Sequence, residues 1–263
     1  MFEKFNVQGL GVANQAFLTL VASEMNDGVV IDCGDGVTTI VPIQEGISVK
    51  EAMKRFEVGG RDISNYLAEL LTEAVGGNKL DGVENYRQHA VLSGMKEQLC
   101  YVALDYDKEI GKGSELEKEF ELPDGQKITI SNERTQCAEA LFNTQLIRRI
   151  GLYDGIHKAA SASLKECDEN FRELLCPNIV LSGGTTLLPG FMERMRKELA
   201  ALGLECTFHV PQERKHAAWL GGSKLADLLI FDQMCITKED YENMGASIVH
   251  KKCPLHHPHL PLS

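Results

Sequence analysis

Two hydrophobic periods alternate along this chain. Apolar residues crowd the stretch from Val12 to Val21 as in a buried helix. Phe2, Phe5 and Val7 lead into it without a linker or cap, so the sequence reads from its first residues like the interior of a domain, with an upstream part expected. Gly28-Val29-Val30-Ile31 is a short β-branched run halted by Asp32-Cys33-Gly34-Asp35-Gly36, and a second run extends from Val37 to Ile43. Asp-Gly between two such runs predicts a β-hairpin.

Further on, Asp62 is placed to cap a helix in which Ile63, Tyr66, Leu67, Leu70 and Leu71 fall at i, i+3, i+4, i+7 and i+8, with Gly76-Gly77 beyond its end. Pro123-Asp124-Gly125, between Phe120 and the pair Ile128 and Ile130, predicts another hairpin, and a helix follows from about Glu133 to Phe142. Asn178 to Leu181 form a buried-strand candidate broken by Ser182-Gly183-Gly184. The next helix places Phe191, Met192, Met195 and Leu199 on one face and stops at Gly203. Strands alternating with helices predict an α/β layer architecture whose ligands sit by the glycine turns at strand ends.

Composition narrows the classes of partner. With 263 residues, 43% hydrophobic and 25% charged, the chain can bury one large core or those of two smaller lobes. A formal net charge of -11 repels phosphate backbones and anionic lipid, and no dense Lys/Arg cluster offsets it, so neither nucleic acid nor membrane is an expected partner. The eight cysteines are irregularly spaced without a Cys-x-x-Cys pair, as reduced thiols of the cytosol or nucleus would be. Apolar stretches such as Ala16 to Ala22 fall short of the roughly 20 residues that span a bilayer, and no signal-peptide pattern opens the sequence. A soluble protein is expected.

Two glycine motifs carry candidate chemistry. In Asp32-Cys33-Gly34-Asp35-Gly36 the glycines let backbone N–H groups approach an anion, while the strand-end carboxylate can hold water on a phosphate-bound magnesium ion. In Leu181-Ser182-Gly183-Gly184-Thr185-Thr186 a strand feeds a glycine pair and then hydroxyl residues at an expected helix start, leaving room for a flat base or ribose. Taken singly, the first is more simply a tight hairpin and the second a strand-to-helix connector.

Together they stand in the order and approximate separation found in the superfamily of two-lobed nucleotide clamps that includes actin, sugar kinases and heat-shock chaperones. Further stretches select one branch: Met1-Phe2-Glu3-Lys4-Phe5-Asn6, Gly60-Arg61-Asp62, Lys96-Glu97-Gln98-Leu99-Cys100-Tyr101-Val102-Ala103-Leu104-Asp105, Leu122-Pro123-Asp124-Gly125-Gln126, Gln212-Glu213-Arg214-Lys215 and Ser247-Ile248-Val249-His250-Lys251-Lys252-Cys253. These resemble conventional actin across nearly the whole chain. The resemblance implies an α/β, actin-like (ribonuclease H-like) nucleotide clamp, N-terminally truncated. The family's first phosphate hairpin, with its lysine, and the small outer subdomain with the DNase-binding loop would lie outside this sequence. Residues 1–22 and 216–263 would be the remnant of the first subdomain, 23–58 and 152–215 the third, and 59–151 the fourth.

Position by position, the resemblance implies that Asp32 holds the magnesium hydration shell and that Gln15 orients the attacking water, roles that make these two the catalytic candidates. Gly34, Asp35, Gly36 and Val37 would contact phosphates and ribose, while Lys96, Glu97, Gly183, Gly184, Thr185 and Lys215 would form the adenosine pocket. Read without the resemblance, Gln15 is a helix residue facing solvent or a cleft. The family pattern is broken by Thr39 in place of a histidine, Leu188 in place of a tyrosine flanking adenine, and Pro254 in place of a terminal phenylalanine. An insertion lies between Gly76 and Ser93, and Leu146 to Gly151 departs from the segment that plugs the filament interior.

Leu220, Leu225 and Leu228 match a groove where partner helices insert an apolar face, or else simply pack the core. Cys253 and the histidines of Pro254-Leu255-His256-His257-Pro258-His259 could bind a transition metal, although a disordered Pro/His tail is the simpler reading. The resemblance implies a cytoplasmic, cytoskeletal protein that assembles with actin or itself and meets actin-binding proteins at that groove. ATP or ADP with magnesium would bind weakly or not at all, with at most weak ATPase activity. A sugar kinase would need a substrate-binding acid that the sequence does not reveal.

Overall fold

The computed structural model describes residues 1–75, 85–123, 125–147, 154–228 and 231–252. A one-turn helix α1 (Phe2–Phe5) and short strand β1 (Gly9–Leu10) precede α2 (Gln15–Ala22). Strands β2 (Gly28–Cys33), β3 (Thr38–Gln44), β4 (Ile47–Ser48) and β5 (Lys54–Phe56) follow, then helices α3 (Gly60–Val75), α4 (Asn85–Leu99) and α5 (Tyr106–Ile110). The hairpin β6 (Lys118–Glu121) and β7 (Lys127–Ile130) leads to α6 (Glu133–Glu139), α7 (Ile156–Glu166) and α8 (Glu169–Leu175). Strand β8 (Ile179–Ser182), α9 (Phe191–Ala201), β9 (Phe208–His209) and α10 (Ala217–Ala226) come next, and α11 (Phe231–Met234), β10 (Ile236–Thr237), α12 (Lys238–Met244) and α13 (Val249–Lys252) complete the described chain.

The centre is a six-stranded mixed sheet in the order β4-β3-β2-β8-β9, with β5 also pairing β3. Strands β2 and β3 form the antiparallel hairpin expected from the Asp-Gly signal, and β2 pairs in parallel with β8. All six residues of β2 are buried, which is why its sequence is a continuous apolar run instead of an alternation. The pleat nevertheless sorts its side chains. Val29, Ile31, Ile179 and Leu181 face a core with Ile63, Leu67, Met95 and Phe191 from α3, α4 and α9. Val30, Val41 and Val180 face Phe17 and Leu20 of α2 and Leu225 of α10. Helices α2 and α10 cross backbone to backbone: a Cβ on Gly221 would lie 1.7 Å from the Leu18 carbonyl oxygen, so only glycine fits there.

Several element ends differ from the sequence expectation. Helix α2 begins at Gln15, because the Asn14 side chain accepts a hydrogen bond from the Ala16 amide and sets the start there. Helix α3 begins at Gly60, so Asp62 is not its N-cap; the Asp62 carboxylate sits inside the first turn and accepts from the Gly59 amide at 3.0 Å. Helix α6 stops at Glu139, with a turn reaching Phe142. After β8 the chain makes only a 3-10 turn (Gly184–Leu187), and α9 waits until Phe191, since Leu188 before Pro189 is extended. The dipole of a long helix therefore does not point at Gly184. The β6–β7 hairpin closes as expected, with Gly125 at φ 86. Asp124, Gly76-Gly77, most of the insertion, residues 148–151 of the filament-plug segment, and the tail from Cys253 onward lie outside the described residues.

Candidate functional site

Because β2 and β8 run side by side in parallel, their last residues reach the same end of the sheet, with Asp32 opposite Ser182. Helix α2 lies across that end. Gln15 Nε2 donates to Asp32 Oδ2 at 2.6 Å, Ser182 Oγ donates to the same oxygen at 3.4 Å, and Thr19 Oγ1 donates to Ser182 Oγ at 3.5 Å. Thr39 is the cross-strand partner of Asp32. Asp32 is 7% exposed, and burial raises its carboxyl above the ordinary carboxylate value, while the hydrogen bonds from Gln15 and Ser182 pull the other way.

Glycine turns follow both strands. At Gly183, with φ 87, a Cβ would stand 2.2 Å from the Cys33 carbonyl oxygen and 2.6 Å from Asp32 Oδ1, so no side chain is tolerated. Gly34 and Gly36 are not among the glycines at positive φ, and the space above Gly36 is open for 4 Å. Their missing side chains thus leave room over the backbone. The turns are stitched together: Thr185 Oγ1 donates to the Gly34 carbonyl at 2.8 Å, and the Gly60 and Arg61 amides donate to the Gly34 and Asp35 carbonyls at 3.0 and 2.8 Å.

Beside the turns opens a cleft of about 330 Å³, within the size range of small-ligand sites. Of the residues expected from sequence, Asp35, Lys96, Glu97, Gly184, Thr185 and Lys215 line it, as does Leu188. Lys96 is buried; its Nζ donates to the Gly60 carbonyl at 2.7 Å and to Ser64 Oγ at 3.0 Å, and desolvation lowers its pKa. The Lys215 stem runs over Gly184, where an added Cβ would meet it at 3.7 Å. Asp35 accepts a two-pronged contact from Arg61 at 3.0 and 2.8 Å, both side chains being largely exposed. Gln15 and Asp32 form their own cluster, joined to the cleft by the turn residues Gly34, Gly36, Val37 and Gly183.

Sequence reasoning missed Ser182 and Thr19 in the Asp32 cluster, and Gly60, Ser93 and Leu187 in the cleft wall. The parallel register reveals Ser182; nothing local marks Ser93 or Leu187. Leu225 is a core residue at 4% exposure, and Leu228 packs on the same core. Leu220 is half-buried, and a separate apolar cleft of about 190 Å³ involves Val12, Leu18, Leu225, Phe231 and Met234. Among the described residues no group of three or more His, Cys, Asp or Glu is arranged to hold a metal ion. No helix among them is long and apolar enough to cross a membrane.

These features define an α/β protein with a cleft at the carboxyl ends of neighbouring parallel strands. A model of the actin family matches residues 1–254, and the chain belongs to that family, with an actin-like α/β fold.

Proposed function

We propose that this chain is an actin-like cytoskeletal protein that binds ATP or ADP with magnesium, weakly, in the cleft, and acts as a filament subunit or a partner of actin-binding proteins more than as an enzyme. The observation that carries the reading is a buried carboxylate with neutral partners, Asp32, joined by glycine turns to a cleft lined by Lys96, Glu97, Thr185 and Lys215. In this reading Asp32 orients water on the magnesium, and Gly34, Asp35, Gly36 and Val37 face phosphates and ribose, with open space above Gly36 for a close approach. Lys96, Glu97, Gly183, Gly184, Thr185 and Lys215 surround the nucleoside. The metal supplies charge neutralisation.

Gln15 donates one amide N–H to Asp32, which leaves its carbonyl oxygen to accept a hydrogen bond from, and so orient, a water. That supports a slow magnesium-dependent ATPase as the second reading. The subdomain division is proposed as 1–22 with 216–263, 23–58 with 152–215, and 59–151. The β1–β10 pairing and the α2–α10 crossing favour joining the first and last of these stretches. A cytoplasmic location and partner binding around Leu220, Leu225 and Leu228 complete the proposal.

The test is titration of a fluorescent ATP analogue with and without magnesium, beside the Asp32→Ala variant. Magnesium-dependent binding lost in Asp32→Ala is expected. A folded chain that binds no nucleotide would instead be a nucleotide-independent interaction module, and failure to co-sediment with actin filaments as well would reject the cytoskeletal reading.

A further inference from the structure

At the end of the sheet opposite the cleft, where β8 and β9 begin, two cysteines meet. Cys176 closes α8, its amide donating to the Arg172 carbonyl at 2.9 Å. The Thr207 amide donates to the Cys176 carbonyl at 2.9 Å and the Ile179 amide to the Thr207 carbonyl at 3.1 Å, which pins the segment carrying Cys206 against the segment carrying Cys176. Both thiols are free, and this backbone pairing brings Cys206 alongside Cys176, close enough for each to shift the other's titration. They differ in access: Cys206 is buried, whereas Cys176 is half-buried and lines an open depression of about 390 Å³ beside Arg172, Glu173 and Leu204. A small solute reaches Cys176 from that side, with Cys206 waiting behind. A second pair of neighbouring thiols, Cys100 and Cys137, is sealed at 2% and 0% exposure and provides an internal control.

We propose that Cys176 and Cys206 are an oxidation site, at which a two-electron oxidant of the peroxide class converts the dithiol to an intramolecular disulfide that staples the α8–β8 junction to edge strand β9. In the first step the Cys176 thiolate attacks one peroxide oxygen and the O–O bond breaks. A sulfenic acid forms, and the departing hydroxide takes up a proton and leaves as water. In the second the Cys206 sulfur attacks the Cys176 sulfur; the S–S bond forms, the S–O bond breaks, and a second water leaves with the Cys206 proton. The peroxide gains the two electrons that the thiols lose.

Burial raises both thiols above the ordinary range, Cys206 to about 12, but the Cys206 S–H and the Arg172 guanidinium ease Cys176 back, making it the first to react. Oxidation is accordingly faster at pH 9 than at pH 7. The closed loop contains β8, its glycine turn and α9, so the cross-link restrains the unfolded chain. Strand β9 also leads onward to Arg214 and Lys215 at the cleft.

The reduced chain is treated with hydrogen peroxide, alkylated, digested without reductant and mapped by mass spectrometry. The expected product is a Cys176–Cys206 linked peptide, with Cys100 and Cys137 still alkylated. The melting midpoint should rise by about 5 °C and fall back on reduction. In Cys206→Ser, Cys176 should stop at a sulfenic acid that dimedone traps, without the rise in midpoint. The proposal is overturned if wild-type Cys176 stays reduced, accumulates as sulfinic acid, or pairs with Cys167 or with a second chain.

Discussion

Asp32 and Glu139 are carboxylates buried to nearly the same depth, at 7% and 6% exposure, and they keep opposite company. Glu139 receives Arg194 in a two-pronged contact at 2.9 and 2.8 Å; the same guanidinium also donates to Glu198 at 2.6 Å and to the Ala103 carbonyl at 2.8 Å, and lies 4.8 Å from the Phe142 ring centre. Asp32 has an amide and a hydroxyl. Burial lifts the Glu139 carboxyl above its ordinary value in spite of Arg194; on Arg194 burial works downward, but its two carboxylates outweigh it and the value rises. The paired contact geometry is that of an ionised pair and agrees with the direction on Arg194. A buried carboxylate matched by a cation ties α6 to α9, whereas one left with neutral partners at a strand end is the one the proposed magnesium-nucleotide reading would use.

The largest effect is expected where the match is broken. Arg194→Met strands Glu139 in the core and should cost about 3–5 kcal/mol. Adding Glu139→Leu should recover a large part of that loss, and denaturant melts of the two single variants and the double variant measure the coupling. A single variant within about 1 kcal/mol of wild type would show the pair to be idle. Asp32→Asn should act in the opposite direction. It removes a charge that burial penalises and keeps an acceptor for Gln15, so stability should increase by about 1 kcal/mol while magnesium-dependent nucleotide binding disappears. Reduced stability with nucleotide binding intact would make Asp32 a structural residue like Glu139.

The two clusters were unequally legible in the sequence. Asp32, Gly183 and Gly184 lie where apolar runs meet glycine, and local punctuation marks both the strand ends and the turns between them. Ser182 and Thr19 join the cluster only through the β2–β8 register and the seating of α2, which no local pattern encodes. Arg194 and Glu139 are 55 residues apart, and Arg194 sits beside Met195 on an amphipathic helix, where it reads as a surface charge. Cys176 and Cys206 escaped for the same reason. Helix starts shifted by a few residues because Asn14 and Asp62 bind particular amides, which depends on how the chain enters each turn.

The smallest expected effect is a pH dependence that gives the two regions opposite signs. His157 belongs to the Arg194 side, stacked on Phe142 with centroids 5.8 Å apart, and its Nδ1 has no hydrogen-bond partner among the described residues. Burial lowers its pKa; Glu198 pulls it up, while Lys158 and Arg194 push it further down. A base whose folded value is depressed stays neutral in the fold while the unfolded chain takes up a proton. Stability is thus lost as pH falls through the ordinary histidine value of about 6.5 toward the lowered one. Asp32, with a raised folded value, adds stability as pH falls through that raised value toward the ordinary carboxylate range. Unfolding free energies from denaturant melts between pH 7.5 and pH 5 should therefore decline less steeply in His157→Gln than in wild type, by under about 1 kcal/mol across the range. In Asp32→Asn the decline should be steeper at the acid end, since the opposing contribution is gone. Equal slopes in all three proteins would mean that neither buried group changes its proton affinity on folding.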